Sequence, residues 1–155
     1  MIISERKNDE ELLEALAERT RLFLVGCAAC ATACKSGGEE EVFLMQEWLA
    51  SVGKEVTGSV VIDEACHLMR AARDLRQRRP QVEEAEALLV LTCGAGVQSI
   101  SAGTDRMVIG ALDTLFLGNM QIEGKEDGSR AVNRHGSRNF SEGNAFEESF
   151  HVGGA

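Results

Sequence analysis

Histidine, proline and aromatic residues are scarce in this chain, and tyrosine is absent. The 155 residues include three histidines, one proline, one tryptophan and six phenylalanines. With so few aromatic rings, the chain is a poor candidate for a surface on which nucleic-acid bases stack. The net charge of −9 argues in the same direction, because proteins that bind the phosphate backbone are usually basic. We therefore expect no nucleic-acid partner.

Long apolar runs are also missing. No stretch of about 18 apolar residues occurs, which argues against a transmembrane helix. The N-terminal sequence MIISERKNDEE lacks the apolar core of a signal peptide. We expect a cytoplasmic protein on these grounds. Stable disulfides are rare in that compartment, so the five cysteines are better interpreted as metal ligands or reactive thiols than as disulfide bridges.

The length is that of one domain with an additional tail. Apolar and amphipathic segments alternate over residues 1–118, whereas Gly, Ser, Asn, Arg and Glu dominate residues 119–155. We expect a folded domain over 1–118 and an irregular tail over 119–155. The tail keeps a few isolated aromatic residues, Phe140, Phe146 and Phe150, which suggests that it docks on a partner protein.

Segments typical of buried strands alternate with segments typical of helices. Short runs of apolar and β-branched residues predict four strands, at 21–26, 55–62, 87–92 and 107–109. Amphipathic patterns predict three helices, at 9–19, 39–52 and 68–79. This order is typical of a small doubly wound, mostly parallel α/β sheet.

The predicted helix at 68–79 combines an apolar side with a run of arginines. Leu68, Met69, Ala72 and Leu75 are expected to face the core. The single proline, Pro80, ends this helix or begins the next turn. The arginines form a solvated face or a docking patch; they are Arg70, Arg73, Arg76, Arg78 and Arg79.

Every cysteine follows one of the predicted strands. Cys27, Cys30 and Cys34 come after the first strand, Cys66 follows the second, and Cys93 follows the third. Crossover connections place the carboxyl ends of parallel strands along one edge of the sheet, which is where ligands of doubly wound folds collect. The sequence therefore predicts that all five thiols converge on one site.

Convergent thiols are the ligands of zinc and of iron–sulfur clusters. The paired cysteine and histidine spacing of a zinc finger is absent from the sequence. A [4Fe–4S] cluster accepts ligands from scattered loops and needs close approach of the backbone, which Gly94 and Gly96 allow. We favour a [4Fe–4S] cluster and keep a zinc ion as the alternative. Which four cysteines would act as ligands stays open at this point.

Other interpretations explain less of the pattern. Any one of the cysteines, Cys34 above all, could be a small buried apolar residue. Cys27 and Cys30 could form a thioredoxin-type redox pair, but the other three cysteines would then be unexplained. The glycines at 94–96 do not complete a nucleotide-binding motif, because Ser99 stands where the third glycine is needed.

The cysteine motifs resemble those of a known family. They are LFLVGCAACATACKSGGEEEV at 22–42, the single Cys66, and LLVLTCGAGVQSI at 88–100 with DTLFLG after it. Together they resemble the small cysteine-rich subunit of bacterial methylenetetrahydrofolate reductases, a module that also occurs as a domain named for the C-terminal part of that enzyme. The resemblance covers roughly residues 1–118.

This resemblance implies an iron–sulfur subunit in one-carbon metabolism that passes electrons to or from a flavin and has no catalysis of its own. Its partner in a tight hetero-complex would be the flavin-containing methylenetetrahydrofolate reductase subunit, with a further electron-donor protein. The alternative is a structural zinc-binding module that scaffolds a partner enzyme. Residues 119–155 contain no cysteine, whereas the family usually carries a second cysteine-rich segment there, so the resemblance gives no support to a second metal site.

Overall fold

The computed structural model describes the backbone of residues 1–124 and 130–136 and the side chains of residues 1–118. Seven strands lie in this part of the chain: β1 (Ile2–Arg6), β2 (Arg21–Cys27), β3 (Glu55–Ile62), β4 (Ala87–Leu91), β5 (Met107–Gly110), β6 (Leu112–Gly124) and β7 (Arg130–Gly136). Six helices accompany them: α1 (Asp9–Ala15), α2 (Cys30–Ala33), α3 (Glu39–Ser51), α4 (Leu68–Gln77), α5 (Arg79–Glu84) and α6 (Gly94–Ala102).

The centre of the fold is a four-stranded parallel sheet with the order β3-β2-β4-β5. Cys27 at the end of β2 lies opposite Ile62 of β3, and Gly26 lies opposite Leu91 of β4. The chain runs outward from β2 to β3 and then returns to β4 on the other side, so the direction of winding reverses between β2 and β4. Right-handed crossovers then place α3 on one face and α4, α5 and α6 on the other, which confirms the doubly wound prediction.

A second, antiparallel sheet has the order β1-β6-β7. Its register places Ile2 of β1 opposite Leu117 of β6. The two sheets are joined at Ala111, whose amide donates to the carbonyl of Val90 at 2.9 Å and whose carbonyl accepts from the amide of Lys7 at 3.0 Å. The sequence pattern does not predict β1 or this sheet.

The middle strands of the parallel sheet are the most deeply buried elements. Six of the seven residues of β2 and all five residues of β4 are buried, as expected for strands covered by helices on both faces. Val42, Met45 and Leu49 of α3 are buried as their spacing predicts. Phe43, which the pattern places beside that stripe, is 59% exposed instead.

Two helices end earlier than their patterns predict. α1 ends at Ala15 rather than near residue 19. The basic helix ends at Gln77, and Arg79 begins α5 with Pro80 in its first turn. Proline fits there because amides in the first turn have no partner within the helix. The expectation that Pro80 marks this boundary is thereby confirmed.

The first turn of α4 is less buried than its apolar pattern predicts. Ala72 and Leu75 are buried, but Leu68 is 45% exposed and Met69 is 69% exposed. Leu68 lies on the same stripe as Ala72 and Leu75, at helical spacings of four and seven residues, yet it is only about half covered. Met69 points about a quarter turn away from that stripe. The prediction that both residues face the core is therefore wrong.

The segment at 119–155 begins with more regular structure than its composition predicts. β6 continues to Gly124, and its residues 118–124 pair with β7 at 130–136. Residues 125–129 and 137–155 lie outside the described part of the chain. The predicted contact of Phe140, Phe146 and Phe150 with a partner falls there.

Candidate functional site

The segment after β2 is a loop closed by hydrogen bonds. Cys27, the last residue of β2, is 5% exposed, and its amide donates to the carbonyl of Gly37 at 2.8 Å. Its carbonyl accepts a hydrogen bond of 2.8 Å from the hydroxyl of Thr32. Cys30 begins α2 and is half-buried. The loop therefore holds Cys27 and Cys30 at the end of the central strand.

Gly37 allows this loop to lie against the neighbouring strand. A Cβ built on Gly37 would be 2.0 Å from the carbonyl oxygen of Leu91, at the end of β4. No side chain is possible at that distance, so the loop and β4 are in backbone contact. Leu91 precedes Cys93 by two residues, so this contact brings the loop of Cys27 next to Cys93.

Cys34 and Ser36 point toward the antiparallel sheet. The thiol of Cys34 is 1% exposed and donates to the carbonyl of Ile2 on β1, with a sulfur–oxygen distance of 3.7 Å. The hydroxyl of Ser36 lies 3.1 Å from that of Ser4 and 3.2 Å from the carbonyl of Ala31. The end of α2 is therefore anchored on β1 by buried polar contacts.

Cys66 lies in the turn between β3 and α4 and is exposed. Its carbonyl accepts a hydrogen bond of 2.8 Å from the hydroxyl of Ser99 on α6. In the same turn, Glu64 accepts from the amide of His67 at 2.8 Å through its carbonyl, and its carboxylate pairs with Arg70 at 3.1 Å. These contacts fix the turn from both sides while leaving its surface open to solvent.

Cys93 immediately precedes the first turn of α6 and is 6% exposed. Its side chain makes no capping hydrogen bond to the helix, and a helix N-terminus favours negative charge. The amide of Gly94 donates to the hydroxyl of Thr114 at 2.9 Å. A Cβ on Gly96 would lie 2.5 Å from the hydroxyl of Thr92, so Gly96 allows α6 to pack on the end of β4.

Three other cysteines act electrostatically on Cys66. Partial burial raises the pKa of the Cys66 thiol, and negative charge on Cys93, Cys27 and Cys30 raises it further. Such repulsion falls with distance and is screened by solvent, so these three thiols lie near Cys66. Cys27, Cys30, Cys66 and Cys93 therefore lie along the carboxyl edge of the sheet, while the thiol of Cys34 contacts β1.

These four cysteines form an all-thiol donor set, which suits an iron–sulfur cluster or zinc. No disulfide joins the five cysteines. Within the described residues, no three cysteine, histidine or acidic side chains are spaced to hold a single metal ion. A tetrahedral zinc ion would need its sulfurs about 3.8 Å apart. A cluster places each cysteine on a different iron, which spreads its ligands more widely.

Several residues that support the site carry no signal in the sequence. Ser99 holds the Cys66 turn, and Thr114 binds the first amide of α6. Ser4 and Ile2 of β1 anchor the other end of α2. Serine and threonine have no distinctive spacing here, and these contacts depend on elements that are distant in sequence. The only available signal is the apolar pair Ile2-Ile3, which favours a short strand at the start.

In comparisons with known proteins, no family model matches this chain and no curated protein matches it. Of the helices in the described part of the chain, none combines the length and the apolar character required to cross a membrane.

Proposed function

We propose that this chain is an iron–sulfur electron-transfer protein whose [4Fe–4S] cluster is bound by Cys27, Cys30, Cys66 and Cys93. The observation that carries the proposal is that these four cysteines lie at or just after the carboxyl ends of β2, β3 and β4, where the winding of the sheet reverses. Ligands of doubly wound folds bind at this point. Four cysteine thiolates are the usual ligand set of a [4Fe–4S] cluster.

Cys34 is excluded from the proposed ligand set by its surroundings. Its thiol is buried and donates to the carbonyl of Ile2. To reach the other thiols, Cys34 would have to leave β1 and disturb the neighbouring contact between Ser36 and Ser4. The number of remaining cysteines equals the number of ligands that a [4Fe–4S] cluster needs.

The four proposed ligands differ in their access to solvent. When bound, a [4Fe–4S] cluster takes up and releases one electron at a time. Cys27 and Cys93, which are 5% and 6% exposed, would hold it on the protein side and keep water away. Cys66 is exposed and would lie between the cluster and the surface. Electron exchange with another protein is therefore favoured on the Cys66 side.

The proposed partner follows from the motif resemblance. The chain would pass electrons to or from the flavin of a methylenetetrahydrofolate reductase catalytic subunit, and a further electron-donor protein would complete the route. In this role the chain is a non-catalytic subunit of a cytoplasmic hetero-oligomer. The residues that support it are the motif at 22–42, Cys66 and the motif at 88–100.

Metal analysis of protein purified under strictly anaerobic conditions tests the cluster. We expect about four irons and four sulfides per chain, broad visible absorbance, and a paramagnetic signal after reduction with dithionite. One zinc per chain without sulfide would overturn the cluster and support the structural zinc module. A metal-free chain with thiol–disulfide activity would contradict both.

The partner is tested separately with a purified bacterial flavin subunit of methylenetetrahydrofolate reductase. Mixing should give a complex on size-exclusion chromatography, and the dithionite-reduced chain should reduce the flavin once excess dithionite is removed. A chain that contains iron and sulfide but neither binds this subunit nor exchanges electrons with its flavin would retain the cluster proposal and overturn the partner.

A further inference from the structure

The outer face of α4 next to Cys66 has an apolar end and a basic continuation. Met69, Arg73 and Arg76 are spaced by four and three residues, so they share one face of the helix. All three are exposed. We call these three residues the α4 stripe. Its apolar end lies three residues after Cys66, the exposed member of the thiol group.

Leu68 enlarges the apolar end of this surface. It is 45% exposed, and Met69 is 69% exposed. Ala72 and Leu75, which follow Leu68 on the same side of α4, are buried. Leu68 therefore continues this apolar side of the helix beyond its buried part. Adjacent exposed apolar side chains beside a proposed redox site are typical of a contact surface rather than of an isolated solvent-exposed residue.

The charge of α4 is opposite to that of the molecule. Helix α4 has three arginines and one acidic residue, and Arg78 and Arg79 follow it directly, in a chain whose net charge is −9. A negatively charged protein approaching this chain would be repelled by most of its surface and attracted at α4. Such an asymmetry selects one orientation of approach and raises the association rate.

The arginines of the stripe are available to a partner. Arg73 pairs with its neighbour Asp74 at 2.8 Å, and the side chain of Arg73 is itself 64% exposed. The guanidinium of Arg76 has no hydrogen-bond or ion-pair partner among the side chains and backbone groups of residues 1–118. Arg70, by contrast, is engaged with Glu64 in the Cys66 turn. The α4 stripe therefore offers a partner two guanidinium groups: that of Arg76, which is unpaired within residues 1–118, and that of Arg73, which is paired but exposed.

We infer that the α4 stripe and Leu68 form the docking surface for an acidic electron-transfer protein, which would exchange electrons with this chain on the Cys66 side. The inference rests on the proposed function and adds to it the surface used and the charge of the partner. The interface would have an apolar centre at Leu68 and Met69 and a basic rim at Arg73 and Arg76. Transient redox complexes are typically small and of this kind.

The test uses a purified acidic flavodoxin as the partner probe. The reduced chain is mixed with the oxidised flavodoxin, and the second-order rate constant of flavin reduction is measured at low and at high ionic strength. In the Arg73→Glu/Arg76→Glu variant we expect the rate constant to fall about tenfold or more at low salt, and the difference from wild type to vanish at high salt. Met69→Ala should lower the rate at both salt concentrations.

The matched control is Arg19→Glu/Arg21→Glu. It changes the net charge by the same amount but lies at the start of β2, about 20 Å along the strand from Cys27. Its rate constant should stay within about twofold of wild type at low salt. Equal slowing by the two double variants would show a net-charge effect alone and overturn the docking surface. An unchanged rate in the Arg73→Glu/Arg76→Glu variant would overturn it as well.

Failure of the docking surface can be distinguished from failure of the cluster. If the wild-type chain contains no iron, binding is measured instead, from amide shifts of ¹⁵N-labelled flavodoxin titrated with the chain as purified. Binding that is lost in Arg73→Glu/Arg76→Glu and kept in the control would support the surface while the proposed function fails. The absence of any shift with wild type would overturn the surface.

Discussion

The two ends of α2 differ in what surrounds their cysteines. Cys30, at the start, is half-buried, and its charge reaches Cys66. Cys34, one turn later, is 1% exposed and donates its thiol to β1 at 3.7 Å. One helical turn therefore separates a thiol near Cys66 from a thiol that contacts β1. A compact cysteine motif can thus contain both proposed ligands and an anchor.

The surroundings of Cys30 and Cys34 also differ in their exposure to solvent. On the side of Cys30, the site ends in the exposed turn of Cys66, which Ser99 holds by a single hydroxyl. On the side of Cys34, buried hydroxyls and strand pairing close the contact with β1. The open side is suited to exchange with another molecule, and the closed side to fixing the position of α2.

The largest expected effect is a difference in iron content between variants of Cys30 and Cys34. Cys30→Ala should lose most of its iron and sulfide, because one of the four proposed ligands is gone. Cys34→Ala should keep both and lose only stability, since it removes a buried thiol without touching the other four cysteines. Iron and sulfide per chain are measured for both variants, with circular dichroism to verify folding. A folded Cys34→Ala protein without iron would make Cys34 a ligand and reverse the assignment.

The next largest effect is a difference in stability between variants of two glycines near the site. Gly37→Ala would place a Cβ 2.0 Å from the carbonyl oxygen of Leu91, whereas Gly94→Ala meets nothing closer than the hydroxyl of Thr114 at 3.5 Å. A backbone carbonyl cannot move aside as the end of a flexible side chain can. Gly37→Ala should therefore lower the free energy of unfolding by about 3 kcal/mol or more. Gly94→Ala should be neutral or stabilise by up to about 1 kcal/mol.

Urea unfolding of the metal-free protein measures both glycine variants. Equal stabilities would show that the loop after β2 can withdraw from β4. In that case Gly37 would not be what holds Cys27 beside Cys93.

Much of the parallel sheet is predictable from the sequence because its signals are local. The apolar runs that become β2 and β4 are short and uninterrupted, as burial on both faces requires, and β3 is rich in β-branched residues. The positions of Cys27, Cys66 and Cys93 at the strand ends follow directly from them. The proposal that these thiols converge then follows from parallel topology, which needs no knowledge of side-chain contacts.

The position of Cys34 could not be predicted in this way. Its spacing of four residues from Cys30 suggests one shared helix face, but α2 has only four residues and lies beside β1. That strand is held by β6, more than a hundred residues later, through pairs such as Ile2 with Leu117. The exposure of Leu68 could not be predicted for a similar reason. A periodic pattern shows which side of a helix is apolar, but not how much of that side the rest of the domain covers.

A smaller effect is expected for two serines on the two sides of the site, one on stability and one on iron release. Ser36→Ala removes a buried hydroxyl and leaves that of Ser4 without its partner, so it should cost about 1–3 kcal/mol of stability. Ser99→Ala removes an exposed hydrogen bond to the Cys66 carbonyl and should cost about 1 kcal/mol or less. Its main effect should be faster loss of iron to a chelator, because the turn of Cys66 is less firmly held.

The two serine variants therefore change different measurements. Urea midpoints should fall mainly in Ser36→Ala, and the rate of iron release should rise mainly in Ser99→Ala. The reverse result would contradict the assignment of Ser36 to anchoring and of Ser99 to the site. Ser99→Thr, which keeps the hydroxyl, should restore slow iron release.

The smallest effect lies at the amino edge of the same sheet, opposite the thiols. The amides of Arg21 and Thr20 donate to the carboxylate of Glu86 at 3.0 Å and 2.6 Å and lower its pKa. A lowered pKa in the folded state means that ionised Glu86 stabilises the fold above the ordinary glutamate pKa, and that this contribution is lost as the pH falls below it. Glu86→Gln should therefore be less stable than wild type near about pH 7 and equal to it near about pH 3.

Urea unfolding at the two pH values measures this difference, and iron content at neutral pH provides the comparison with the thiol edge. Because Glu86 lies at the start of β4 and Cys93 follows its end, Glu86→Gln should keep its iron while it loses stability. A stability difference that persists in acid would mean that the carboxylate charge is not its source. Loss of iron from Glu86→Gln would mean that the two edges of the sheet are coupled, and the carboxyl edge could then no longer be treated as a site built by its own loops.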